Sequence, residues 1–279
     1  MGNSSSVEAT VATVWDVPTG KSNSAMTKLW RDLGNGGARV IEQLDRDDDD
    51  FRQRAVRFML AGGFTSANEQ MAQILLGDRF ITPQQVVAKC QPVAKEGQEV
   101  EPFIYSAEQL AFIQETLPPL EVLAWYRDHN FGLVPLPPRK LNLLGIRELK
   151  PSVFYTAEGG WYAGDEQEFS RNEVVEITDT GWLAIRKDAV PNSTCKTYEQ
   201  QRALLLPEEH VPQAVQVAWF DTLFAEVRDV RLHQDVWVRT SSVTANRNRV
   251  CVGSASDGFS VSDYADGCAY CGIGVSASR

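Results

Sequence analysis

Two cysteines near the end of the chain have the spacing of a chemical site. Cys268 and Cys271 are separated by two residues, as in redox pairs and in one half of a structural zinc site. A zinc site needs two further ligands, and a redox pair usually opens a helix after a strand. The glycine-rich surroundings favour neither, so we expect no metal and no cofactor, and we predict that neither cysteine is essential for folding.

The cysteines as a set do not resemble a disulfide framework. There are five of them, an odd number, and the other three are scattered at Cys90, Cys195 and Cys251. Small secreted domains instead carry dense, evenly paired cysteines. We therefore expect reduced thiols.

No other constellation identifies a catalytic centre. His129, His210 and His233 are far apart and lack the spacing of metal ligands. The chain contains neither the GxSxG motif of a nucleophile elbow nor the GxxxxGK[ST] motif of a phosphate-binding loop. The acidic run 45–50 lacks the central glycine of a calcium loop and is more typical of a solvated helix start. An enzyme is not excluded, but no catalytic residue can be named.

The composition of the last thirty residues is unusual. Lys, Glu, Gln, Met and Trp are all absent between Val250 and Ser278, although each is present earlier in the chain. A Gly- and Ser-rich strand-and-turn region favours small residues, which is one explanation. The other is genetic, because these five residue types are the ones that no codon ending in C or T encodes.

The tail resembles the C-terminus of the variable proteins of diversity-generating retroelements. The residues that carry the resemblance are Val252-Gly253, Asp257-Gly258-Phe259, Tyr264 and Ile273-Gly274-Val275-Ser276-Ala277-Ser278-Arg279. In that family a reverse transcriptase rewrites adenine positions in the terminal segment of a C-type-lectin-like domain. The resemblance implies a ligand-binding display protein that holds its variable residues on one surface. These residues are Ser254, Ala255, Ser256, Ser260, Ser262, Asp263, Ala265, Gly267, Cys268, Ala269, Tyr270 and Cys271.

Two other functional classes remain open. The related formylglycine-generating enzymes use a lectin-like fold with cysteines in the active site, but Cys268 and Cys271 do not match that pattern. The chain could also be a structural protein with an ordinary glycine-rich terminus.

Alternation in the tail predicts which side chains face the core. Apolar and polar residues alternate in both terminal segments, and a strand turns such alternation into two faces. We predict that Phe259, Val261, Ile273 and Val275 point inward, and that Ser260, Ser262, Gly272 and Ser276 point outward.

The element pattern indicates an α+β protein with a helical N-terminal region. The element order of the part that follows resembles that of a C-type-lectin-like domain, as the family resemblance implies, and other α+β folds share this order. We expect a loosely ordered arm over 1–24, a helical domain over 25–145, and the lectin-like domain over 146–279 with the variable segment 250–279. The proline-rich stretch 134–139 is interpreted as the connector. Strands are predicted at 153–155, 180–186, 236–240 and 249–252, and helices at 197–206 and 212–228. Two earlier helices are predicted to begin at Thr82-Pro83, where proline occupies the first helical position, and after the capping residue Ser106. Core positions are predicted for Trp161, Trp182, Trp219 and Trp237.

Charge and hydropathy limit the partners. The 279 residues carry a formal net charge of −10, which argues against binding to a phosphate backbone, because that requires clustered Lys and Arg. No apolar run is long enough to span a membrane, and no signal peptide is recognisable, so we expect a cytoplasmic protein. The expected partner is an unknown protein or a surface ligand, and surface display would need an unknown route.

Overall fold

A computed structural model describes residues 67–92, 101–155, 160–255 and 258–279. The predicted arm over 1–24, the acidic run 45–50 and the variable-site residue Ser256 lie outside these ranges. The chain divides into two compact units, and the second comprises residues 65–279. All of the described residues belong to this second unit.

Four α-helices precede the first strand in the described chain. They are α1 (Ala67–Leu76), α2 (Pro83–Lys89), α3 (Ala107–Glu115) and α4 (Leu120–Asp128). Helices α2 and α3 begin with reciprocal caps: the hydroxyls of Thr82 and Ser106 accept hydrogen bonds from the N–H groups of Gln85 and Gln109, whose side chains accept in return. These starts confirm the helix beginnings predicted from Thr82-Pro83 and Ser106.

The remaining elements mix short strands with further helices. The strands are β1 (Phe131–Pro135), β2 (Leu141–Asn142), β3 (Val174–Val175), β4 (Trp182–Arg186), β5 (Trp237–Val243), β6 (Arg249–Ala255), β7 (Gly258–Tyr264) and β8 (Ile273–Val275). The helices are α5 (Leu143–Leu149), α6 (Phe169–Asn172), α7 (Tyr198–Arg202) and α8 (Ala214–Arg228). Short 3-10 helices span Gly77–Arg79, Pro151–Val153 and Trp161–Ala163. The predicted α+β class is confirmed.

The largest sheet of the described chain has the strand order β7-β6-β5-β8. Neighbouring strands are antiparallel except β5 and β8, which are parallel. Strands β1 and β4 form a separate antiparallel pair, as do β2 and β3. The end of the chain joins the β1–β4 pair, because the Arg186 N–H donates to Ala277 O at 2.9 Å and Ser278 forms a bridge with Ile185. The C-terminal residues therefore connect the four-stranded sheet, through β8, to the β1–β4 pair.

Helix α8 lies at the centre of the core. Its side chains Trp219, Phe220 and Phe224 are fully buried, and a Cβ atom on Gly132 of β1 would lie 2.7 Å from Phe220 Cζ. The Trp219 indole N–H donates to Pro135 O at 3.0 Å. Burial is not confined to one face, since ten of its fifteen residues are buried, because the helix contacts both α2 and α5 as well as strands β3 to β6.

The predicted domain boundary near residue 145 is not where the chain divides. Strand β1 precedes that position and pairs along its whole length with β4, which follows it. Residue 145 consequently lies inside one compact unit. The connector interpretation of 134–139 is also wrong for its first residues, since Val134 and Pro135 are buried in β1.

The individual strand and helix predictions have mixed outcomes. Strands β4, β5 and β6 confirm the predictions at 180–186, 236–240 and 249–252, although β5 and β6 extend further. The predicted strand at 153–155 is wrong: a 3-10 helix ends at Val153, and Phe154 forms only an isolated bridge with Phe259 of β7, in which the Tyr155 N–H donates to Phe259 O at 2.9 Å. The predicted helix at 197–206 is shorter and ends at Arg202.

Candidate ligand-binding surface

The four-stranded sheet has one face against the core. Strand alternation places Val238, Val250, Val252, Phe259 and Val261 on this inner face, and all are buried. The Phe259 ring packs edge-on against Phe154, with ring centroids 5.2 Å apart. The predicted inward orientation of Phe259 and Val261 is confirmed.

The opposite, outer face begins with a row of three residues. Trp237 of β5, Gly253 of β6 and Ser260 of β7 lie side by side in the strand register. A Cβ atom on Gly253 would lie 2.7 Å from the Trp237 indole, so the glycine is needed for the ring to lie across the sheet. Trp237 is half-buried rather than a core residue. Ser260 and its neighbour Ser262 are half-buried, and their hydroxyls make no hydrogen bond within the described ranges.

Of the other three tryptophans that were predicted in the core, two are buried and one is exposed. Trp182 and Trp219 are buried, as predicted. Trp161 is 40% exposed, so the prediction is wrong for this residue.

A turn of residues 265–272, which we call the terminal turn, connects β7 to β8. It consists of two tight reversals, because the Cys268 N–H donates to Ala265 O at 3.0 Å and the Ile273 N–H to Tyr270 O at 3.2 Å. Most of its side chains are exposed, and Tyr270 is 56% exposed. The Tyr270 ring stacks on Tyr264 with centroids 5.9 Å apart. The terminal turn therefore extends the outer face of the sheet.

Arg239 supports the terminal turn from beneath. Its guanidinium is fully buried and donates to Cys268 O at 2.5 Å and to Ala265 O at 3.4 Å. On its other side it donates to Lys196 O at 3.1 Å and to Gln201 Oε1 at 2.9 Å. No carboxylate of the described chain forms an ion pair with it. Carbonyl and amide oxygens thus compensate this buried charge, and they tie the turn to helix α7.

A second arginine, Arg249, holds Asp266 near the start of the terminal turn. Arg249 binds both carboxylate oxygens of Asp266, with Nε–Oδ1 at 3.2 Å and Nη2–Oδ2 at 3.0 Å. Its guanidinium lies over the Tyr198 ring, 4.1 Å from the centroid. The Tyr198 N–H donates to Asp266 O at 2.9 Å. Burial raises the pKa of Tyr198, and the nearby Arg249 cation partly offsets this shift, so the phenol stays neutral beside the cation.

A disulfide joins Cys195 to Cys271. The prediction that all five cysteines are reduced is therefore wrong for these two. Cys90 and Cys251 are buried free thiols, and Cys268 is a half-buried free thiol. Burial raises the pKa of Cys90 and of Cys251 to about 12. In the described part of the chain, no group of three His, Cys, Asp or Glu side chains is arranged to hold a metal ion.

Most of the predicted variable residues lie on this outer surface. The exposed or half-buried residues on it are Ala255, Ser260, Ser262, Ala265, Gly267, Cys268, Ala269, Tyr270 and Cys271. Ser254 is a correction, because it is 4% exposed and lies on the inner face opposite Phe259. Asp263 is half-buried, and strand alternation separates it from Ser260 and Ser262; its carboxylate accepts a hydrogen bond from Asn248 Nδ2 at 2.7 Å.

The predictions for β8 and its flanks are only partly correct. Ile273 and Val275 are buried, as predicted, and Gly272 is half-buried. Ser276 is fully buried, so its predicted outward position is wrong. The reason is that β8 lies between β5 and the segment near Val190, whose N–H donates to Val275 O.

The histidines do not form an accessible catalytic centre. His233 Nδ1 lies 3.1 Å from Asp221 Oδ2, but the two side chains are 0% and 2% exposed, so a substrate would not reach them. His129 stacks on Trp125 with ring centroids 4.0 Å apart. His210 lines a polar cleft of about 480 Å³ beside Tyr198 and Arg249.

We expect the Cys195–Cys271 disulfide to stabilise the fold. Replacing both Cys195 and Cys271 with serine should lower the free energy of unfolding by about 2–4 kcal/mol, because the bond closes a long loop in the unfolded chain. For a unit of this size, such a loss corresponds to a fall in Tm of roughly 10 °C. Thermal unfolding under non-reducing conditions measures it.

Cys268→Ser is the matched control for this pair, because it changes a cysteine of the same turn that forms no disulfide. We expect its Tm to stay within a few degrees of the parent protein. Equal Tm values for the double variant and the parent would show that the disulfide does not stabilise the fold.

Comparisons with known proteins identify no family for this chain. Among the described residues, no helix combines the length and the apolar character needed to cross a membrane. No protein-family model matches the chain, and no curated protein or solved structure is detectably similar to it.

Proposed function

We propose that this chain is a ligand-binding display protein whose terminal segment is diversified to bind varied targets. One observation carries the proposal: the exposed residues of the segment 250–279 gather on a single surface, formed by β6, β7 and the terminal turn. Arg239, which supports that surface, precedes the segment and binds backbone oxygens of the terminal turn. Surface side chains can therefore change while this support stays the same, with the exception of Cys271, which forms the disulfide with Cys195.

Aromatic side chains would provide most of the binding energy. Tyr270 and Tyr264 form a stacked pair at one side of the surface, and the half-buried Trp237 lies on the sheet beside Ser260. Large, stiff aromatic residues supply contact area at low entropic cost, while serine and glycine adapt their hydrogen bonding to different targets, as in antibody binding sites. Trp237 lies outside the segment 250–279 and would be an anchor shared by all variants.

The proposed fold of the region is C-type-lectin-like. Two features support it: the order of strands, helices and short terminal strands, and the pairing of the chain end with β4. An enzyme on a formylglycine-generating-enzyme-like fold is less well supported, because the His233–Asp221 pair is sealed from solvent and Cys271 is bonded to Cys195.

The proposed partner is a protein or another surface ligand rather than nucleic acid, in keeping with the net charge of −10. The proposed location remains the cytoplasm. In a reducing compartment the exposed Cys195–Cys271 disulfide would be in exchange with cellular thiols.

A library experiment tests the binding function. Exposed positions of the surface are randomised with codons ending in C or T, and the full chain is displayed on yeast and selected against several unrelated purified proteins. We expect binders to some of these proteins, with different residues at the randomised positions in each. The positions are Ser260, Ser262, Ala265, Gly267, Ala269 and Tyr270.

A second library of equal size on exposed positions of α3 is the matched control. Both libraries should give folded, displayed protein, but only the first should give target-specific binders. Equal yields of binders from the two libraries would contradict a specialised binding surface. Loss of display in the first library would show that these positions are structural.

A further inference from the structure

Three cysteines lie in or beside the terminal turn. Cys195 and Cys271 form a disulfide, and both residues are exposed. Cys268 is a half-buried free thiol three positions before Cys271. The Cα atoms of Cys268 and Cys271 can be no more than about 11 Å apart along the chain, and the two reversals, over 265–268 and 270–273, lie on either side of this stretch. A free thiol is thus placed close to an accessible disulfide.

We propose that this cluster is a thiol–disulfide exchange switch with two isomers of the terminal turn. The Cys268 thiolate attacks Sγ of Cys271, the Cys268–Cys271 bond forms, and the Cys195–Cys271 bond breaks. Cys195 leaves as a thiolate and takes up the proton that Cys268 released. One disulfide and one thiol exist before and after the step, so neither an oxidant nor a reductant is consumed.

The other two cysteines of the chain do not take part. Cys90 and Cys251 are fully buried, and burial raises the pKa of each thiol to about 12. Only a thiolate is nucleophilic in exchange, so these thiols stay inactive near neutral pH. Exchange is consequently confined to the three cysteines of the cluster.

The two isomers present different surfaces. Ala269 and Tyr270 lie between Cys268 and Cys271, so the second isomer closes a small ring around them. That ring draws Tyr270 away from its stack on Tyr264 and frees the terminal turn from the loop that carries Cys195. The inference depends only on the cysteines, so it stands or falls independently of diversification in the tail.

Time-resolved alkylation of the full-length protein tests the switch. The protein is held without added oxidant or reductant at about pH 8.5, near the pKa of a free thiol. Samples are alkylated with iodoacetamide at intervals, and the labelled cysteines are located by peptide mass spectrometry. We expect the label to appear on Cys195 while it decreases on Cys268, with the total number of labelled thiols unchanged.

Cys268→Ser is the control, because it removes the attacking thiol but keeps the disulfide. The label on Cys195 should then be at least about tenfold lower than in the parent protein. Label that stays on Cys268 alone in the parent would overturn the proposal. Equal labelling of Cys195 in the parent and in Cys268→Ser would also overturn it, as would labelling that appears only under conditions that unfold the protein by circular dichroism.

Discussion

Replacing Arg239 with alanine should lower the free energy of unfolding by about 3–5 kcal/mol. The buried guanidinium donates to the carbonyl oxygens of Lys196, Ala265 and Cys268, and its removal takes one donor from each of them, so that Ala265 O keeps only the Cys268 N–H. In a unit of this size the loss corresponds to a fall in Tm of roughly 10 °C. Differential scanning calorimetry measures it, and hydrogen exchange should show faster exchange of the amides of the terminal turn.

Arg202→Ala is the matched control, because Arg202 is an exposed arginine on helix α7. Its effect should stay within about 0.5 kcal/mol. Arg239→Lys should behave like the alanine variant, since an ammonium group cannot reproduce the planar fork of donors. If Arg239→Ala melted at the same temperature as Arg202→Ala, Arg239 would not be the support of the turn.

Phe259→Ala should destabilise the protein by about 3–5 kcal/mol, because it opens a cavity beside Phe154 on the inner face of the sheet. The next residue, Ser260, lies on the outer face, and Ser260→Ala should change stability by less than about 0.5 kcal/mol. Urea denaturation of the two variants measures this contrast. Equal losses would contradict the assignment of the two faces.

A pair of serine-to-tyrosine substitutions makes the same distinction with a larger side chain. Ser260→Tyr adds an aromatic group to the outer surface and should be tolerated. Ser254→Tyr places the same group on the inner face, where Ser254 is 4% exposed, and should destabilise by about 1–3 kcal/mol or more. If Ser254→Tyr were as stable as Ser260→Tyr, the assignment of Ser254 to the inner face would be contradicted, and Ser254 would belong to the variable surface.

Local patterns predicted the parts of the fold that depend on near neighbours. Alternation along 258–264 is sufficient to separate Phe259 and Val261 from Ser260 and Ser262, since a strand needs only its own period to define two faces. The helix starts at Thr82 and Ser106 are also local, because the capping residues lie within one turn.

Features that depend on distant partners were not predictable in this way. The Cys195–Cys271 disulfide spans a sequence separation of 76, and no local signal selects one partner among the five cysteines. The pairing of β1 with β4 likewise crosses the expected boundary. Ser276 is polar but buried, because segments remote in sequence flank β8 on both sides.

Trp237 and Arg239 lie in a strand that was predicted correctly, but the sequence did not predict the surroundings of their side chains. The strand was predicted, and its alternation separates both residues from Val238, but a large aromatic residue was expected in the core. Strand alternation places Trp237 on the outer face, and Gly253, its cross-strand neighbour, leaves room for the ring to lie across the sheet. Arg239 is buried because the terminal turn and helix α7 surround it with oxygen acceptors.

Sequencing the DNA around the gene tests the proposed diversification most directly. We predict a near-copy of the DNA that encodes residues 250–279, beside a reverse-transcriptase gene, which differs from the coding segment almost only where the copy has adenine. The differences should fall on the exposed surface positions and spare the buried ones, because substitutions there would cost about 2–5 kcal/mol. The buried positions are Ser254, Phe259, Val261, Ile273 and Val275. Flanking DNA with no such repeat, or differences spread evenly over all four bases, would contradict diversification of this surface.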